Sequence, residues 1–292
     1  MVRLPDTRAD VWYAWVDDCD RGDLGEYESL LNAQERARLG RFAFPSLARE
    51  YLVTRALCRL TLSRYAAIAP TDWSFIQNGY GKPEIHPRFS TRLRFNLSNC
   101  RTLVACVVTA DADAGIDVES VDRPNELLSL ADRYFSPGEA GQLRAAPQSE
   151  QRDLFFQLWT LKESYIKARG MGLTIPLEQF SFDISGPRIS VSFAPTLQET
   201  LAGWQFELYR LGERHRMAIA LHNKSAGTLA VTVREGLKSL ATRTAGSAPP
   251  FRLEASPASD GTPATAISPT LLRTSVRTAA IHASGRESIS YS

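Results

Sequence analysis

Two short segments constrain this chain more than any others: Gly115-Ile116-Asp117-Val118-Glu119 and Trp159-Thr160-Leu161-Lys162-Glu163-Ser164-Tyr165-Ile166-Lys167. The first alternates as a strand does. Successive side chains of a strand point to opposite faces, so Ile116 and Val118 share one face while Asp117 and Glu119 share the other. The second reads as a helix in which Glu163 and Lys167, four residues apart, lie on one side. A helix packed beside that strand gathers three carboxylates and a lysine. That set suits a hard divalent cation and a phosphate, because Mg²⁺ takes oxygen ligands and often completes its shell from water and substrate phosphate. An acid-x-acid pair on a strand is more usually a solvated face. The apolar company of Glu163 argues otherwise: Trp159, Leu161, Tyr165 and Ile166 mark a buried helix, whose charges need partners.

Composition mostly excludes. The 292 residues are 43% hydrophobic and 23% charged, enough to build one or two cored domains. No apolar run reaches the roughly 18 residues of a membrane span. The first residues lack the charged-then-apolar pattern of a secretory signal, which points to the cytoplasm. Neither the cysteines (Cys19, Cys58, Cys100, Cys106) nor the histidines (His86, His215, His222, His282) show zinc-site spacing, and Cys100 and Cys106 read as buried thiols of one hairpin. The formal charge of +2 hides an asymmetry: the chain from residue 225 onward carries a net +3 and the remainder −1. The basic balance therefore belongs to the tail and is no sign of nucleic-acid binding by the folded part.

The chain has a loose two-part rhythm, helices and then a strand pair up to about residue 113, and the same again after it. Val11-Trp12-Tyr13-Ala14-Trp15-Val16 reads as a strand. Asn32 and Glu35 are spaced as a capping box opening a helix, and leucines at near-helical spacing mark a longer helix over residues 46–67. Residues 93–98 and 102–109 form a hairpin. Residues 127–134 read as a helix, and Ser136-Pro137-Gly138-Glu139 opens another with serine as cap and proline in the first turn. The helix of Trp159 and Glu163 stops at Gly170-Met171-Gly172. Residues 180–184, 189–193, 204–209 and 217–221 read as antiparallel strands. Ala230-Val231-Thr232-Val233 fits one last strand or a helix start. Beyond about residue 241, Ser, Thr, Ala, Pro and Gly dominate, a composition that cannot offset its chain entropy by burial.

Three further clusters carry possible chemistry. Gly79-Tyr80-Gly81-Lys82-Pro83 is a glycine-rich turn that can bring backbone and ammonium to a phosphate, though an ordinary hairpin turn has the same composition, and the Walker spacing is missing. Arg36, Arg38, Arg41, Arg49, Arg55 and Arg59 crowd the first helices. They form either a solvated face paired with Glu35 and Glu50 or a basic face for phosphates or an acidic partner. Asn96-Leu97-Ser98-Asn99 ends a strand, either as plain turn chemistry or as a polar rim where a ligand gathers.

Read in order, Gly81-Lys82-Pro83, Phe95-Asn96-Leu97-Ser98, Gly115-Ile116-Asp117-Val118-Glu119, Phe135-Ser136-Pro137-Gly138-Glu139 and the Trp159–Lys167 segment running into Gly170-Met171-Gly172-Leu173 resemble the 4′-phosphopantetheinyl transferase superfamily in its longer, Sfp-like branch. The resemblance covers roughly residues 10 to 223. It implies an α+β (α/β) fold of two pseudo-symmetric halves, each a small sheet with packed helices, at residues 1–113 and 114–224, with a mostly disordered tail at 225–292. It implies coenzyme A in the cleft between the halves and transfer of 4′-phosphopantetheine to a serine of an apo acyl or peptidyl carrier protein. The other product is adenosine 3′,5′-bisphosphate. Asp117, Glu119 and Glu163 would hold Mg²⁺, Glu163 would also take the serine proton, and Lys167 would stabilise or protonate the departing phosphate. Lys162, Lys82, Ser98 and Asn99 would contact the phosphates and nucleotide, with Arg38 and Arg49 near the 3′-phosphate. No nucleic acid and no membrane enter this reading, and the chain is expected to be a monomer. Two positions depart from the family pattern: Asn99 stands where histidine is common, and Glu35 where a basic residue is. They motivate an alternative, a non-catalytic module that binds coenzyme A or carrier proteins. A different Mg²⁺-dependent phosphate enzyme, such as a hydrolase, is a third reading.

Overall fold

The computed structural model describes residues 3–123, 126–225 and 227–237. The chain is built twice over. The first half runs β1 (Arg8–Trp15), α1 (Arg21–Ser29), α2 (Ala33–Leu39), α3 (Pro45–Tyr65), a hairpin of β2 (Phe75–Gln77) and β3 (Pro83–Ile85), β4 (Leu93–Cys100) and β5 (Leu103–Ala110). The second runs β6 (Asp113–Ser120), α4 (Leu127–Tyr134), α5 (Pro137–Ala145), α6 (Gln148–Arg169), a hairpin of β7 (Phe180–Asp183) and β8 (Ser190–Phe193), β9 (Trp204–Leu211) and β10 (His215–His222). The sheets share one order, β1-β5-β4 and β6-β10-β9, with every one of these pairs antiparallel. The two-part rhythm of the sequence is thus a structural repeat.

Alternation fixes the layering. Val11, Ala105 and Val107 of the first sheet meet Ile116, Val118 and Ile219 of the second in a central apolar layer. The opposite face of the first sheet, with Trp12, Leu97 and Cys106, packs on Leu52, Val53, Ala56 and Leu57 of α3. Ala218 and Ala220 of the second sheet pack likewise with Trp159, Leu161 and Tyr165 of α6. Each long helix covers the outer face of its own sheet, and β5 is buried along its whole length, as a strand covered on both faces must be. The four cysteines are buried thiols. No helix among the described residues is long and apolar enough to cross a membrane.

Local chemistry sets the element ends. Asn32 and Glu35 form the capping box of α2, and Ser136 and Glu139 that of α5. α6 ends at Gly170, whose φ of 65° is the left-handed conformation that glycine adopts at helix ends. One boundary needs correction. Residues 230–235, placed in the 225–292 tail although residues 230–233 fit a strand or a helix start, form β11 (Ala230–Glu235), which pairs in parallel with β1. The chain thus returns to complete the first sheet. Residues 238–292, the rest of the expected disordered tail, lie outside the described residues.

Candidate active site

The seam between β6 and α6 is unusually close, and Gly115 is the reason. A Cβ at this position would lie 2.0 Å from the Ser164 carbonyl oxygen and 2.3 Å from the Ala168 nitrogen. Only glycine lets the strand and helix backbones meet there. Gly115, Asp117 and Glu119 share the face that looks at α6, so the close approach presses both carboxylates against the helix.

Asp117 is fully buried. Its Oδ1 accepts the Lys167 ammonium at 2.5 Å and the Ser98 hydroxyl at 2.9 Å. Ser98 Oγ in turn accepts from Lys167 Nζ and from the Val118 amide, both at 3.1 Å. A hydroxyl has one donor and two acceptor positions, and these bonds use all three. Ser98 as placed therefore orients Asp117 and Lys167 and has no position left for a phosphate. Its neighbour Asn96 does a parallel job, its Oδ1 accepting the Ile116 amide at 2.9 Å. These two side chains of β4 seal the open edge of β6 and stitch one half to the other.

Glu119 and Glu163 are 4% and 3% exposed. Glu119 is ion-paired with Arg123, four residues on, a partner the sequence did not suggest. Among the described residues, no three acidic, histidine or cysteine side chains sit close enough together to hold a metal as placed. Two of the carboxylates instead face cationic side chains. The donor chemistry still fits a hard divalent cation: three buried carboxylates on two rigid, tightly apposed elements, all oxygen donors. A cation in their midst would take over the neutralising role that Lys167 and Arg123 play.

The remaining predicted residues are dispersed. Lys162 does not join the cluster. It is fully buried, ion-paired with Glu139 at 2.7 Å, and donates to the carbonyls of Leu177 and Phe180 at 2.7 and 2.5 Å. Burial lowers its pKa while Glu139 opposes the shift. Glu139 also closes the α5 capping box and accepts the Phe182 amide. The Ser136-Pro137-Gly138-Glu139 motif is thus the counter-ion site of Lys162, and both serve the second core.

Lys82 clamps the halves together. Its ammonium donates to the carbonyls of Ala114 and Ala168 at 3.1 Å each, and Asn78 of the same turn donates to Gly170 O at 2.8 Å. The glycine-rich turn therefore caps the carbonyl end of α6, where helix carbonyls lack partners. Burial pulls the Lys82 pKa down to about 8. Lys82 also lines a cavity of about 480 Å³ between the halves, with Arg94, Asp113 and Arg169 on its walls.

The first half holds the others. Asn99 donates its amide to Glu50 of α3. Arg49 donates to the carbonyls of Val16, Asp17 and Cys19, and Arg38 lies over the Tyr51 ring with its centroid 5.5 Å away. Glu35 pairs with buried Arg59 at 2.6 Å. Arg59 and Glu50 are 0% and 1% exposed, so neither belongs to a solvated face.

The family model that matches residues 113–220 is that of the 4′-phosphopantetheinyl transferase superfamily, and the stretch contains the whole β6/α6 seam. Over 157 residues the chain is 36% identical to the 4′-phosphopantetheinyl transferase HetI of Nostoc sp., a match covering 53% of this chain and 66% of that protein. It is 34% identical over 155 residues to Sfp of Bacillus subtilis, covering 53% and 67%. It is 31% identical over 192 residues to the transferase ffp of Bacillus subtilis, covering 65% of this chain and 82% of the relative. The chain belongs to the 4′-phosphopantetheinyl transferase superfamily. The chain spans about two thirds of the length of HetI and Sfp. Within this phosphopantetheinyl transferase, sequence reasoning gave Glu50, Asn96 and Arg123 no place among the site residues. Only Asn96 carried a local signal, sharing a strand face with Ser98.

Proposed function

We propose that this transferase moves 4′-phosphopantetheine from coenzyme A to a serine hydroxyl of an apo acyl or peptidyl carrier protein, using Mg²⁺ held by Asp117, Glu119 and Glu163. The observation that carries the reading is the buried Ser98–Asp117–Lys167 network on the β6/α6 seam, one helical turn from Glu163. Bound there, Mg²⁺ would offset the charge of the pyrophosphate as it is cleaved. Glu163 takes the proton of the attacking serine, whose oxygen forms the new bond to the pantetheine-bearing phosphorus. The bond from that phosphorus to the bridging oxygen breaks, and adenosine 3′,5′-bisphosphate departs. Lys167, four residues on and facing the same side of α6, donates to or protonates the departing oxygen. The Asn99–Glu50 contact and the Lys82 clamp belong to coenzyme A binding rather than to the chemical step.

The test is incubation with coenzyme A, Mg²⁺ and several apo carrier proteins, read by intact mass. The carrier should gain one phosphopantetheine on serine. Coenzyme A uptake with no carrier modified would favour the non-catalytic module, and release of phosphopantetheine to water would favour a hydrolase.

A further inference from the structure

We propose that Glu50 is a positioning residue for the coenzyme A site, holding the side chain at position 99 in the orientation that meets the phosphates. The inference rests on the reading of Asn99 as a coenzyme A contact. Neighbouring residues of a strand point to opposite faces, and at the end of β4 this splits two polar side chains between the halves. Ser98 turns toward β6 and Asp117. Asn99 turns toward α3, where Glu50 accepts its amide.

Glu50 is 1% exposed, although it sits only six residues into α3. Burying a carboxylate is costly unless hydrogen bonds receive it, so its presence here needs a reason beyond packing. An asparagine side chain offers a donor end and an acceptor end, and a neutral partner can take either. A carboxylate only accepts, so it selects the amide end of Asn99. One N–H is then committed to Glu50, and the other is aimed by it as a neutral donor. That matters more with asparagine than with a charged side chain: a neutral amide gains affinity for phosphate only through correct aim. Arg49, next in sequence, is tied to the carbonyls of the turn after β1. The start of α3 is therefore anchored on both sides, a rigid base from which Glu50 acts.

The test compares full-length wild type, Glu50→Ala, Glu50→Gln, Asn99→Ala and Glu50→Ala/Asn99→Ala, with coenzyme A affinity from calorimetry and steady-state kinetics with an apo carrier. Loss of one hydrogen bond of this kind predicts that Glu50→Ala weakens coenzyme A binding and raises its KM about 3- to 10-fold, with kcat held. Glu50→Gln, a neutral partner that can meet either end of the amide, should fall between wild type and Glu50→Ala. The double variant should be no worse than Asn99→Ala. Glu50→Asp keeps the charge but shortens the reach, and carries the same prediction should Glu50→Ala fail to fold. Wild-type affinity in every Glu50 variant, a matching fall in kcat, or multiplying single effects would overturn the inference alone. A wild-type protein that takes up no coenzyme A would overturn it together with the reading of the site.

Discussion

The two halves put the same strand beside the same helix and fill the gap differently. Register makes the comparison exact to the residue. Trp12 of β1 faces Cys106, the fourth residue of β5, and Asp117 of β6 faces Ala218, the fourth of β10. By the same count Ala14 matches Glu119 and Asp10 matches Gly115. The first half thus packs tryptophan and alanine where the second places two carboxylates, and Trp12 donates to Tyr65 of α3 where Asp117 accepts from Lys167 of α6. The first seam is mostly apolar, its buried carboxylate Asp10 accepting from Tyr65 at 2.6 Å. The second is a buried network of hydrogen bonds and ion pairs. The fold does not dictate chemistry; the two seams of a repeated fold can carry different side chains.

Substitutions at the matched positions should break this symmetry of form. Asp117→Asn should lower turnover by about 10²- to 10³-fold, as loss of one preorganised charged group does, while leaving the thermal midpoint within a few degrees. Trp12→Ala should do the reverse, costing about 3–5 kcal/mol of stability with kcat of the folded fraction intact. Equal loss of stability in both would mean that the Asp117 seam is only a core.

The Lys82 clamp joins the halves and should titrate. Burial lowers its pKa from 10.5 to about 8, so its charge is lost as pH rises through 8. A KM for coenzyme A that climbs across that range, and stays flat in Lys82→Arg, is the expected profile. A flat wild-type profile would remove Lys82 from phosphate binding.

The smallest effect concerns His215, which bonds Thr102 across the inner layer at 2.7 Å. Burial lowers its pKa from 6.5 to about 4, with Arg216 and Arg214 pushing the same way and Asp122 opposing. Between pH 6.5 and 4 the unfolded chain takes up a proton there that the folded chain refuses, so stability falls as pH drops through that window. Denaturant melts should show a shallower acid decline in His215→Gln than in wild type.

What the sequence revealed was what local chemistry decides. Ser136 and Glu139 announce a helix entry because a capping box is made within four residues. Asp117 and Glu119 announce a shared face because strand period is two. The partners of Lys162 and Glu50 were hidden, because they come from far along the chain. Lys162 looks equivalent to Lys167, yet a five-residue offset turns it well away around the helix, and Glu139 waits for it there. Glu50 looked like one more charge among arginines on a solvated face, and its contact lies 49 residues away. Residues 230–233 fitted a strand or a helix start, but the pairing of β11 was hidden because its place is set by the open edge of β1.

The most direct measurement is the rate of phosphopantetheine transfer from coenzyme A to an apo carrier by Glu163→Gln, followed by intact mass beside wild type. The account predicts a loss of about 10³-fold or more, as removal of a general base that is also a metal ligand requires, in a protein that melts like wild type. A Glu163→Gln variant that transfers at the wild-type rate would contradict the placement of the chemistry on the β6/α6 seam.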